Sequence, residues 1–209
     1  MKILFYGDSI TDALRKRDEQ RTNYGLGTGY PLQIAGRLSL PDPDRYEFIN
    51  TGVSGDRIVD LYARVKNAVW NYEPDVLSIL IGVNDVWHEI FHRNGVDIVR
   101  FEKVYRMLLD DTVARLPKIK LILMEPFVTE GEVTRERYGE FLAVKEYAKV
   151  VKRIAEDYHA AFVPLQEKID ELSAKCDPAL VLRDGVHPNY AGCALIAEEW
   201  IKVFRGIEA

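Results

Sequence analysis

Ser9 and His187 are the two side chains whose chemistry could together open an ester. A serine hydroxyl is a weak nucleophile until a neighbouring base takes its proton. The base is suggested by Asp184-Gly185-Val186-His187-Pro188, where a carboxylate stands three residues before one of only 4 histidines. On a turn-like or helical segment that spacing puts both side chains on one side. Asp184 could then accept from His187 Nδ1 and leave Nε2 to take the Ser9 proton. Plainer readings exist: Ser9 could cap a following helix, with Asp12 completing an approximate capping pattern, and the Asp184–His187 pair could simply close a loop.

Acyl transfer also needs hydrogen-bond donors where charge develops on the former carbonyl oxygen. Ser9 offers its own N–H, Gly55 an N–H on an unencumbered backbone, and Asn84 a side-chain amide. Taken singly, Gly55 is as well explained as a turn residue and Asn84 as a loop cap. Several polar loops meeting at one place is harder to explain by accident.

A rival motif lies nearby. His88-Glu89-Ile90-Phe91-His92 fits the HExxH pattern of zinc proteases, and Asp85 could add an oxygen ligand. Its context argues against zinc. No third ligand is signalled, and the segment follows a strand-end loop and stops just before Asn94-Gly95 rather than sitting on an established helix. No metal and no cofactor is expected.

The elements that must position these residues alternate along the chain. Apolar runs at Lys2–Tyr6, Tyr46–Asn50, Val76–Ile81, Ile119–Met124 and Ala161–Val163 read as strands buried on both faces. Helical periodicity appears near 29–38, 56–70, 97–115, 134–158 and 190–204. This alternation implies a doubly wound α/β sandwich with right-handed crossovers. Ligands of such sheets bind beyond the carboxyl ends of the strands, so the loops starting at Gly7, Thr51, Gly82 and Glu125 should share one crevice. Residues 11–28 lack clear periodicity directly after the first strand, and such connections often belong to a site.

Composition bounds the function. The 209 residues, 47% hydrophobic and 29% charged, suit one domain spanning 1–209. A net charge of -5 with mixed signs argues against nucleic acid, which needs a clustered basic surface. No apolar run spans a bilayer, and the N-terminus lacks the long apolar stretch and cleavage site of a signal peptide, so the expectation is a cytoplasmic protein with no membrane partner. Cys176 and Cys193 show neither metal-ligand nor CxxC spacing and are expected to be reduced.

Four blocks, in order, give the chain a resemblance: GDSIT around Ser9, NTGVSGD around Gly55, GVND around Asn84, and DGVH from Asp184 to His187. It resembles the SGNH (GDSL-type) hydrolases over nearly its whole length. The resemblance implies a three-layer α/β/α sandwich, flavodoxin-like, around a mostly parallel sheet of about five strands. It implies Ser9 as nucleophile, His187 as base and Asp184 as its partner, with Ser9, Gly55 and Asn84 forming the oxyanion hole. GLGTGYP at 25–31, IGVNDVW at 81–87 and ILMEPF at 122–127 resemble the bacterial acetylxylan and carbohydrate acetyl esterases more closely. In that subgroup the residue before the catalytic aspartate can be tryptophan; here it is Arg183. The resemblance also allows a homo-oligomer.

The expected substrate is an O-acetyl ester of a carbohydrate, such as an acetylated xylo-oligosaccharide. Tyr24, Trp87 and Phe127 are candidates to line the pocket, although each could equally serve packing. No long apolar insert is present to serve long-chain lipids. The alternatives are a lysophospholipase, thioesterase or short-chain arylesterase, and a non-catalytic carbohydrate-binding protein on the same fold.

Overall fold

The five apolar runs become strands because both faces of each can be covered. In a computed structural model, which describes residues 1–208, they are β1 (Lys2–Gly7), β2 (Glu47–Asn50), β3 (Val76–Leu80), β4 (Lys120–Met124) and β5 (Ala161–Val163). Every pairing is parallel, in the order β2-β1-β3-β4-β5. All of β3 is buried, as a central strand between two helical layers must be.

Helices connect and cover the strands: α1 (Ser9–Asp12), α2 (Asn23–Leu26), α3 (Tyr30–Ser39), α4 (Ile58–Ala68), α5 (Val83–His92), α6 (Ile98–Arg115), α7 (Tyr138–Phe141), α8 (Val144–Asp157), α9 (Gln166–Ser173) and α10 (Tyr190–Ile207). The chain moves one way from β1 to β2 and the other way from β2 onward. Right-handed crossovers then place the connecting helices on opposite faces. Accordingly α3 packs on α10, while α4, α6 and α8 pack in sequence on the other side. Inside the α3–α10 layer Trp200 stacks on Phe204 with ring centres 4.9 Å apart. Its indole N–H donates to Ser78 Oγ of β3 at 2.9 Å, so the one polar atom of a fully buried ring is satisfied.

Three segments depart from the expected pattern. Residues 83–92, expected as a loop and its aftermath, form α5; the helix starts at Gly82 with φ 135 and no side-chain cap, so no capping signature announces it. The single helix expected over 134–158 is a turn at Arg135–Arg137, then α7, then α8. Leu142 N–H and Ala143 N–H bond back to Tyr138 and Glu140 carbonyls at the break, and there Phe141 inserts beside Trp87 and Phe91. The helix α9 follows β5 where no helix was expected. Among the described residues no helix is long and apolar enough to cross a membrane. Cys176 is exposed, Cys193 is buried, and both are free.

Candidate active site

The strand order reverses between β1 and β3, and the loops leaving those two adjacent strands carry Ser9 and Asn84. This is the crevice where an open α/β sheet takes its ligand. Ser9 does not cap the turn it begins. Asp8 does, accepting from Ile10 N–H at 3.0 Å, and Ser9 occupies the first helical position with its own N–H free of any intrahelical acceptor. The helix expected to follow lasts a single turn, because Ala13 (φ 44) and Leu14 (φ 62) enter left-handed backbone uncommon for residues with a Cβ.

His187 reaches the same place across 178 residues of chain: Ser9 Oγ lies 2.9 Å from its Nε2. Its Nδ1 lies 2.8 Å from Asp184 Oδ2. The other oxygen, Asp184 Oδ1, accepts from the backbone N–H groups of Val186 at 3.0 Å and His187 at 2.8 Å. Burial alone would raise the Asp184 carboxyl, but the His187 side chain and these backbone donors outweigh it and hold the group well below the usual carboxylate range. Its loop is closed at the base by Arg183 N–H donating to His187 C=O at 2.8 Å. The loop after β4 props it from behind, through Thr129 N–H to Gly185 C=O and Val133 N–H to Asp184 C=O.

The loop after β2 is tied to the turn that carries Ser9. Asp12 Oδ2 accepts from Ser54 N–H at 3.0 Å and from Ser54 Oγ at 3.1 Å. Gly52 lies so close to that turn that a Cβ would stand 2.4 Å from Asp12 N. Gly55, at φ 88, then turns the chain in open space, and its N–H has no partner among the described residues. Asn84 Nδ2 donates one hydrogen to Asp56 C=O at 3.1 Å, which fixes the amide and leaves its second hydrogen available. Arg64 anchors this frame, bonding Asp56 at 2.5 Å and the carbonyls of Thr51 and Gly7 at 2.7 and 3.3 Å.

Near Ser9 lie two buried acids, Asp8, for which the sequence suggests no role, and Asp85, which it suggests only as an oxygen ligand for a metal. Burial pushes the Asp8 carboxyl up to about 7, opposed by the Ile10 N–H and by His187, and Asp8 Oδ2 has no partner. Burial also raises Asp85 well above its ordinary value, against the Ile58 N–H it accepts, with Asp8 adding to the rise. Both sit directly beside singled-out residues, but nothing in the residue types tells a buried acid from a solvated one.

A cavity of about 250 Å³ opens onto Ser9 and His187, walled by Leu14, Thr28, Ser54 and Arg183 among others. Of the three aromatics expected there, Phe127 is completely buried in the core and offers no surface to a ligand, so that expectation is corrected. Tyr24 is exposed on α2 under Lys16 Nζ, 4.6 Å from its ring, and does not line the cavity. Trp87 is half-buried on α5 with its ring centre 6.3 Å from that of His187, beside that ring but outside the cavity lining. His88 and His92 face each other at 5.5 Å on a true helix, which removes one objection to a metal there. Among the described residues, however, no three His, Cys, Asp or Glu side chains are grouped to hold an ion.

Against known proteins, the pattern of the GDSL-like lipase/acylhydrolase family matches residues 5–195. The chain belongs to that family. This GDSL-type chain is a carboxylic ester hydrolase, 36% identical over 208 residues to an acetylxylan esterase of Geobacillus stearothermophilus, covering 96% of this chain and 92% of that one. The solved structure of that enzyme superposes with a TM-score of 0.86. A Parabacteroides merdae protein described as GDSL-like superposes with a TM-score of 0.87 at 33% identity, covering 97% of this chain and 94% of that one. The Geobacillus enzyme has catalytic mutants at a serine, an aspartate and a histidine three residues after that aspartate, and a further mutant at a tryptophan directly before the aspartate.

Proposed function

We infer that the protein is a carbohydrate acetyl esterase that works through an acyl-enzyme on Ser9. The observation that carries the chemistry is the continuous relay from Ser9 Oγ through His187 to Asp184, with bonds of 2.9 and 2.8 Å. Ser9 attacks the acetyl carbonyl as His187 Nε2 takes its proton. The tetrahedral oxyanion forms beside the N–H groups of Ser9 and Gly55 and the spare hydrogen of Asn84. Asp184, kept ionised, holds the imidazole in the tautomer that accepts at Nε2 and stabilises the imidazolium. As the C–O bond to the sugar breaks, that imidazolium gives its proton to the departing oxygen, which leaves as the sugar hydroxyl, and His187 then activates water to hydrolyse the acetyl-serine.

A sugar acetate fits the small cavity better than a lipid does. Its volume of about 250 Å³ holds a short acyl group and part of a ring, not a fatty chain. The likeness to the Geobacillus acetylxylan esterase supports the same substrate class.

The test is acetate release from a panel of acetylated xylo-oligosaccharides beside aryl esters from acetyl to octanoyl. Release from the saccharides and a steep fall in aryl-ester rate beyond butyryl are expected. A rate that climbs with chain length, with intact saccharide acetates, would replace this reading with a lysophospholipase or thioesterase.

A further inference from the structure

Among the described residues the cavity beside Ser9 and His187 is lined by one permanently charged side chain, and the relay does not use it. Arg183 is 70% exposed in its side chain and stands in the wall beside Ser9 and His187. Its contact with protein is slight: Nη2 lies 3.5 Å from Asp184 Oδ2, at the outer limit of a hydrogen bond. That oxygen already receives the His187 ring at 2.8 Å, and the other oxygen is taken by two backbone N–H groups. Asp184 therefore does not need Arg183, and most of the guanidinium's five donors face the cavity or solvent. Apart from that long contact with Asp184, no carboxylate among the described residues lines the cavity to pair with it.

The side of the reaction it faces follows from the chemistry. His187 must protonate the leaving oxygen, so the alcohol half of the ester lies against the loop that carries His187. Arg183 is on the same loop, bound to it through its own N–H to His187 C=O at 2.8 Å. An arginine at this place presents planar, paired donors that match a carboxylate. The Geobacillus enzyme has a tryptophan directly before its catalytic aspartate, a largely apolar side chain that carries no charge.

We propose that Arg183 forms an anionic subsite for the leaving group, selecting acetyl esters whose alcohol half carries a carboxylate near the ester. This rests on the esterase reading above, and within the carbohydrate class it means an acetylated saccharide bearing a uronate. In a protein of net charge -5, such a local cation also offsets the general repulsion of an acidic substrate.

The test compares kcat/KM for acetylated xylo-oligosaccharides of matched length, with and without a glucuronate next to the acetylated residue. A second pair, 4-acetoxybenzoate and its neutral methyl ester, reads the charge preference without a sugar. The native enzyme should favour the anionic member of each pair, chiefly through KM, and added salt should shrink the preference. In Arg183→Gln the anionic-to-neutral ratio should fall about tenfold, with Arg183→Lys between the two. A ratio equal in the native enzyme and Arg183→Gln overturns the proposal, including the case where both substrates slow together, which is what mere support of Asp184 would produce. Acetate released from saccharides without any charge preference overturns the proposal alone. A preference on the aryl pair with no saccharide turnover supports the subsite and overturns the carbohydrate reading. Turnover of neither pair overturns both.

Discussion

Asn84 donates one of its two amide hydrogens to the carbonyl of Asp56, 3.1 Å away, which fixes the amide and leaves its other hydrogen without a partner among the described residues. The donor is set before substrate arrives, which is what makes it worth more to the transition state than to the bound ester. Asn84→Ala is expected to lower kcat by roughly 100- to 1,000-fold, about 3–4 kcal/mol, with a much smaller change in KM. Steady-state kinetics on an aryl acetate will show it; an unaltered kcat removes Asn84 from the oxyanion site.

Asp184→Asn keeps an acceptor for the Val186 and His187 N–H groups but turns an amide toward His187 Nδ1, favouring the wrong tautomer. A kcat loss of about 10³- to 10⁴-fold is expected at neutral pH. The same variant has a stability signature. The Asp184 carboxyl is depressed in the folded state, so its stabilising contribution is complete above the unfolded value of about 3.9 and disappears as pH falls below it. The native protein should therefore lose its melting-temperature advantage over Asp184→Asn as the solution is acidified through that range; a constant gap down to pH 2 contradicts this.

Asp8 has the opposite sign. Its folded value of about 7 exceeds the unfolded value of about 3.9, so the native state binds the extra proton between them. The contribution of Asp8 to stability thus falls as pH rises from about 4 to about 7 and stays low beyond. The charged or titratable groups acting on it are His187, Asp56 and Asp85. Asp8→Asn, which cannot ionise, should gain on the native protein by several degrees between pH 5 and pH 8 in thermal melts. Parallel melting curves across that interval would refute an uncharged Asp8 at acidic pH.

The layered architecture was legible because apolar strands and amphipathic helices differ in period. The strands match the expected runs to within a residue or two, and α3, α6 and α10 follow their periodicity closely. Helix α5 was not, since glycine at its start leaves no capping residue to read. Ser9, His187 and Asp184 stood out because a hydroxyl, an imidazole and a carboxylate show in residue type and neighbours, and the structure brings those three side chains within hydrogen-bond distance of one another. Phe127 was misassigned for the converse reason: an aromatic next to a strand end looks the same whether it points into the core or the crevice. The ties that hold the site, such as Asp12 to Ser54 and Arg64 to Asp56, link residues by fold alone.

Ser9→Ala and His187→Ala should each abolish all but a residual activity, a loss of about 10⁴-fold or more in kcat, while melting close to the native protein. Ser9 is partly exposed and, among the described residues, its hydroxyl bonds only to His187, so little of the fold depends on it.

The most direct measurement is intact-protein mass spectrometry after treatment with a serine-directed phosphonate, followed by peptide mapping. One adduct on Ser9, formed fast in the native enzyme and very slowly in His187→Ala, is the predicted result. An unmodified Ser9 in protein that still hydrolyses acetyl esters would contradict the account.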